Sequence, residues 1–121
     1  MAGFDDVREL PLRRIWDGIH VRCVNGERLL LGVVELDPGA VAPEHRHEHE
    51  QLGMVISGAM TFRIGDEKRE LGPGETWAIP SNVPHEATAG PEGAVVIDVF
   101  APVREDWVSI EPSDVREPRW P

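Results

Sequence analysis

The stretch GAVAPEHRHEHEQLGMVISG, residues 39–58, sets three of the chain's five histidines at alternate positions 45, 47 and 49, between two glycines. Read outward from Gly39, five residues precede His45, one separates it from His47, three lead to Gln51 and six more to Gly58. Side chains two apart on a strand point to the same face, so His45 and His47 can present two imidazoles to one ion. Imidazole is substantially neutral at pH 7 and is the commonest protein ligand of transition metals. His49 keeps the same parity if the strand continues, but Glu48-His49-Glu50 also reads as the turn between strands, and both readings stand.

A second frame, GETWAIPSNVPHEATA, residues 74–89, carries Pro80, Asn82 and His85 at fixed steps from Gly74. If its strand pairs beside the first, His85 joins the His-x-His pair and makes three histidines. His20 stands alone on an N-terminal strand and reads as structural.

Around these frames lie short apolar or alternating runs, RLLLGVVEL, AMTFRI and AVVIDVF, separated by turns rich in glycine and proline. That punctuation predicts an all-β sandwich or barrel. Its core is expected from Leu30, Val34, Leu36, Val55, Ile56, Phe62, Ile64, Trp77, Ile79, Val95, Ile97 and Val99. Pro11 interrupts the one helical period, near the start, leaving a short helical turn there. The proline-rich end is expected to run extended; Trp120 packs on this barrel or on a second copy, or the tail is disordered.

At 121 residues the chain fits one domain. We expect N-terminal strands or an arm over 1–30, at a dimer interface, a barrel over 31–108 and an extended tail over 109–121. A single cysteine, Cys23, excludes an intrachain disulfide. No signal peptide or membrane-spanning run is evident, so a cytoplasmic protein without membrane contact is expected. Twelve basic against 22 acidic residues give a net charge of −10, and no basic stripe with interleaved aromatics points to nucleic acid. An anionic small-molecule substrate is still compatible with that charge, because a local metal or arginine governs the potential inside a pocket. Barrel edges need a cover, so a homodimer through the N-terminal strand and the Trp120 tail is expected.

The two frames resemble the paired motifs of the cupin superfamily, over roughly Gly39 to Ala89. Gln51 stands where glutamate is usual, Asn82 where glycine is usual and Ala89 where asparagine is usual. Asparagine tolerates the left-handed turn conformation that glycine would supply. The resemblance implies a jelly-roll barrel (a double-stranded β-helix) and a divalent metal on His45, His47, Gln51 and His85. Nickel, zinc, iron, manganese and copper all suit that donor set. Glutamine in place of glutamate leaves more positive charge on a bound ion, hence a stronger Lewis acid.

Beyond the second frame, Val96, Asp98 and Phe100 share one face of an otherwise apolar strand, which makes Asp98 an ionisable group among hydrophobes. With the ligand set and the length, this segment resembles the small cupins of pectin and alginate breakdown, the uronate linearases. Those proteins open the cyclic hemiacetal of a 4,5-unsaturated monouronate to the keto acid. By that resemblance Asp98 moves the proton, Phe100 packs on the sugar ring and Arg104 pairs with the substrate carboxylate. Structural alternatives stand beside each: Asp98 bonded to a backbone amide, Phe100 in the core, Arg104 paired with Asp106. A step of three residues between His47 and Gln51, where four is common in those proteins, sets this chain apart. An iron or copper dioxygenase and a non-catalytic small-molecule-binding cupin are the competing functions, the former because a three-histidine site can bind oxygen.

Overall fold

A computed structural model describes residues 3–113 and 115–121. Among the described residues there are eight strands: β1 (Arg13–Trp16), β2 (Ile19–Asn25), β3 (Leu30–Leu36), β4 (Val41–His45), β5 (Glu50–Ile64), β6 (Glu67–Leu71), β7 (Thr76–Ile79) and β8 (His85–Ala101). The helical turn expected near the start is a single 3-10 turn, Val7–Glu9, and one further turn of helix, α1 (Glu105–Val108), follows β8. All pairings are antiparallel, in the order β1-β2-β3-β8-β5-β6, with β4 on β8 and β7 on β5.

The two long strands make the barrel. β5 pairs with β7 through Gln51–Met54 and with β6 through Met60–Ile64, while β8 pairs with β4 through its first residues and with β3 through Ala94–Phe100. Each long strand therefore passes from one sheet into the other, and register shifts at Val55/Ser57 and Gly58/Met60 mark the bend. Gly58 is required there: its φ is +79°, and a Cβ would lie 2.1 Å from the carbonyl oxygen of Gly93.

Alternation sets the faces. In β3, Leu30, Val34 and Leu36 turn inward onto Ile19, Val21, Val55, Phe62, Ile79 and Phe100, while Leu31 and Glu35 turn outward. Of the expected core, Ile56, Ile64, Ile97 and Val99 are only half-buried, and Val95 is buried outside the main cluster. An apolar run alone does not reveal that β8 has an inner and an outer side.

The C-terminal residues run extended along their own barrel. Ser113 N–H donates to the Leu12 carbonyl at 2.7 Å, Arg119 N–H to Glu35 Oε2 at 3.1 Å and Arg119 Nη1 to the Leu36 carbonyl at 2.8 Å. Beneath them Arg22 Nη1 donates to Glu35 Oε2 at 2.7 Å, and its Nη2 to the Arg116 carbonyl at 2.8 Å. His20 accepts from Arg116 Nη1 on this outer face, away from the other histidines. Trp120 is half-buried. No helix among the described residues is long and apolar enough to cross a membrane.

Candidate metal and catalytic site

His45 ends β4 and pairs in register with His85, the first residue of β8. His47 lies just beyond the strand, so the His-x-His pair straddles a strand end instead of sharing a pleat. Its backbone is held by the second frame: Asn82 N–H donates to the His47 carbonyl at 2.7 Å. Asn82 has φ +64°, the left-handed conformation expected where glycine is usual. These contacts bring His45, His47 and His85 together, with one ligand atom from each lying within 4.8 Å of the others.

Each of the three rings is oriented by its own backbone neighbour. Nδ1 of His45 donates to the Pro43 carbonyl at 2.7 Å, that of His47 to the His49 carbonyl at 2.9 Å and that of His85 to the Val83 carbonyl at 2.8 Å. A carbonyl only accepts, so the proton is on Nδ1 and each Nε2 keeps its lone pair. Burial lowers the pKa of all three, that of His85 to about 4, keeping them neutral and able to ligate. His49 lies in the bend; its ring stays out of the cluster while its carbonyl orients His47.

Gln51, the first inward residue of β5, completes the donor set. Its Nε2 donates to Asp98 Oδ1 at 2.8 Å, which turns Oε1 toward His47 Nε2 at 3.1 Å. With His47 protonated on Nδ1, two acceptors face one another. His85 Nε2 is likewise buried and without a hydrogen-bond partner. Three imidazole lone pairs and an amide oxygen with no proton between them fit a divalent cation.

Asp98 lies beside that set on the inner face of β8. Trp77 Nε1–H donates to the same Oδ1 at 3.1 Å, so both donors fall on one oxygen. Oδ2 makes no hydrogen bond among the described residues, and Asp98 lines the central cavity with His45, His85 and Phe100. Burial raises the carboxyl pKa to about 6, against the opposing pull of the Gln51 and Trp77 hydrogen bonds and the Arg104 charge. The expectation of an ionisable group buried among hydrophobes on this strand is met, and its polar partners are side chains instead of a backbone amide.

Phe100 is 1 % exposed, with its ring 5.6 Å from that of His47 and 4.7 Å from that of Trp107. Arg104 is buried, its guanidinium 4.9 Å from the Phe100 ring centre and 4.6 Å from that of Trp107. Its Nε and Nη2 form a fork on Asp106, at 2.9 and 2.7 Å. Nη1 makes no hydrogen bond among the described residues, and Arg104 also lines the cavity. A substrate anion would thus meet Nη1, because the edge best shaped for a carboxylate is already engaged.

Reading the sequence missed the residues that make room for Asp98. Gly53 and Gly32 are its register partners on either side, and their missing side chains are replaced by tryptophans. A Cβ at Gly53 would meet Trp77 at 2.2 Å, and one at Gly32 would meet Val21 at 2.9 Å and Trp107 at 3.4 Å. An isolated glycine inside a strand run is the signal for such a close approach.

Comparison with known proteins agrees with this architecture. A family model described as a cupin domain matches residues 32–100. The pectin degradation protein KdgF of Dickeya dadantii (strain 3937) is 31% identical over 102 residues, spanning 83% of this chain and 93% of that protein. The structure of KdgF from Halomonas sp. superposes with a TM-score of 0.81 at 34% identity, covering 88% of this chain and 98% of that one. Oxalate decarboxylase OxdC of Bacillus subtilis (strain 168) is 31% identical over 99 residues, 78% of this chain but 22% of its own length. In sequence, in fold and in the layout of its two histidine-bearing frames, the chain belongs to the cupin family.

Proposed function

We propose that this cupin is a metal-dependent isomerase that opens the ring of a 4,5-unsaturated monouronate. The observation that carries the reading is the division of labour on Asp98: Oδ1 is tied down by two donors, and Oδ2 is left to the cavity beside three histidines and Gln51. Similarity to KdgF, a pectin degradation protein, supports the substrate class.

A divalent cation held by His45, His47, Gln51 and His85 supplies Lewis acidity toward a substrate oxygen. Asp98 Oδ2 takes the proton of the anomeric hydroxyl as the bond from the anomeric carbon to the ring oxygen breaks. The products of that step are an aldehyde and an enolate, with the proton on Asp98. The same carboxyl then delivers that proton to C4, turning the enolate into the ketone and regenerating the carboxylate. Atoms balance without an oxidant or a reductant. Arg104 Nη1 meets the substrate carboxylate, and Phe100 and Trp107 hold the guanidinium flat for it.

Protein loaded with zinc should remove the ultraviolet absorbance of a 4,5-unsaturated galacturonate well above the spontaneous rate, equally with and without oxygen. A rate no faster than the spontaneous one would overturn the reading. Turnover that needs oxygen and a redox-active ion would replace it with an oxygenase.

The protein acts as a homodimer in this reading; because the C-terminal residues lie along their own barrel, the surface proposed is the outer face of β2, β3, β8, β5 and β7 in place of the N-terminal strand and Trp120 tail expected from the sequence. Cross-strand register lines up Val24, Leu31, Val99, Leu52 and Ala78 in one row, with Val33, Ile97 and Met54 in the next. Leu31, Leu52 and Met54 are 42%, 53% and 37% exposed; the second row continues to Arg22, which is buried against Glu35 and brings no charge to the surface. These side chains form one contiguous apolar patch, the kind of surface that a second copy of the chain covers. On a chain of net charge −10, this uncharged face is where a second copy approaches at least electrostatic cost. Sedimentation velocity should give a dimer for the wild type and a monomer for Leu52→Glu. A wild-type monomer at all concentrations refutes the interface.

A further inference from the structure

We infer that Trp77 is a positioning residue for Asp98: its indole N–H, reaching across Gly53, holds Oδ1 so that Oδ2 is the oxygen that meets substrate. The inference rests on the ring-opening reading for the reaction it serves, but its geometry stands apart from that reading.

On the inner face, register places Trp77, Gly53, Asp98 and Gly32 in one cross-strand row on β7, β5, β8 and β3. A side chain at the second position would separate the indole from the carboxylate. Glycine there lets the indole lie over the backbone of β5; a Cβ would fall 2.2 Å from its Cε2 and 2.3 Å from Nε1. Phe62 closes the other side of the indole, with ring centres 4.9 Å apart. The ring is therefore confined, and its one polar atom donates to Oδ1 at 3.1 Å.

Packing alone does not require this arrangement. Phenylalanine would fill most of the same space, so the N–H is the part of Trp77 in excess of what the core needs. Gln51 also donates to Oδ1, but it comes from the neighbouring strand and its oxygen belongs to the candidate metal site. Two donors from different strands on one oxygen fix the rotation of the carboxylate, whereas one leaves it free to turn. Reaction rates fall steeply when a proton-transfer group is misplaced by even an ångström.

Trp77→Phe keeps the ring and removes the donor; Gly53→Ala keeps the donor and displaces the ring. Each is expected to lower kcat by about tenfold or more with KM within about twofold, and with metal per chain unchanged. A role confined to packing would lower the melting temperature without that split between kcat and KM. The hydrogen bond itself is read by nuclear magnetic resonance: the indole N–H signal that disappears in Trp77→Phe should move upfield in Asp98→Ala. An indole signal unmoved by Asp98→Ala, or a Trp77→Phe protein with wild-type kcat, overturns the inference. If the wild type opens no uronate, the ring-opening reading fails separately. The indole signal then decides the positioning alone, a shift upholding it for whichever reaction uses Oδ2 and no shift ending it.

Discussion

Asp98→Ala is expected to lower turnover of a 4,5-unsaturated uronate by roughly two to four orders of magnitude, the usual contribution of a general acid or base, while metal per chain stays at the wild-type level. The two halves of that expectation come from the two oxygens of the carboxylate. Oδ2 carries the proton, so its loss stops both proton transfers. Oδ1 accepts from Gln51 and Trp77 and so orients the Gln51 ligand, but none of the three clustered histidines depends on it, and those three are expected to keep the ion. The substitution leaves the Trp77 N–H and one Gln51 N–H buried without an acceptor, at about 1–3 kcal/mol each. Removing a buried carboxylate relieves a desolvation cost in return. Asp98→Asn separates these effects, since its amide oxygen can still accept from both donors but cannot shuttle a proton. Loss of turnover in both variants, with a melting temperature near wild type in the asparagine variant, identifies proton transfer as what was removed. Retained turnover in either would take Asp98 out of the mechanism, and metal lost from Asp98→Asn would mean that its carboxylate charge, not its hydrogen bonds, supports the ligand set.

How much of this site was legible in the sequence depends on how local each contact is. His45, His47 and His85 could be named because the two glycine-bounded frames fix their spacing and a barrel has few ways to bring those frames together, whereas Gln51 came from the resemblance of the frames to the cupin motifs. Asp98 could be named because a carboxylate among apolar strand residues is conspicuous whatever surrounds it. Two things could not be named from spacing alone. The first is that β4 ends at His45, so that His47 is held by Asn82 and by the His49 carbonyl instead of by strand geometry. The second is the Trp77-Gly53-Asp98-Gly32 row, which exists only once three strand registers are set. The same distinction applies to the core. Val95, Ile97 and Val99 are as apolar as Val96, yet they face outward, because parity in β8 follows the pairing with β3 and β5 and not the composition of the run. Arg104 is the intermediate case: its pairing with Asp106 was one of the alternatives, but stacking between Phe100 and Trp107 needs the helical turn that the sequence did not announce.

His47→Ala should lower metal affinity by at least about a hundredfold, more than loss of a supporting residue does, and His49→Ala should leave it unchanged. His47 is the right residue to remove because two parts of the site meet on it. Its Nε2 is one of the clustered ligand atoms, and it faces Gln51 Oε1 at 3.1 Å. Without it, one lone pair is gone and the Gln51 oxygen loses the neighbour that defines its place. His49 differs in one respect that the comparison exploits: it contributes to the site through its carbonyl, which alanine retains, and its ring lies outside the cluster. Metal per chain after dialysis gives the first reading. The second is thermal, because an ion that binds only the folded chain raises its stability, by about 2.7 kcal/mol at a hundredfold excess over Kd. Added zinc should therefore raise the melting temperature of the wild type and of His49→Ala, and raise that of His47→Ala much less. Equal metal content and equal shifts in all three proteins would remove His47 from the ligand set. An effect confined to His49→Ala would move the site toward the bend at Glu48-His49, where the ring and not the carbonyl of His49 would then be the ligand.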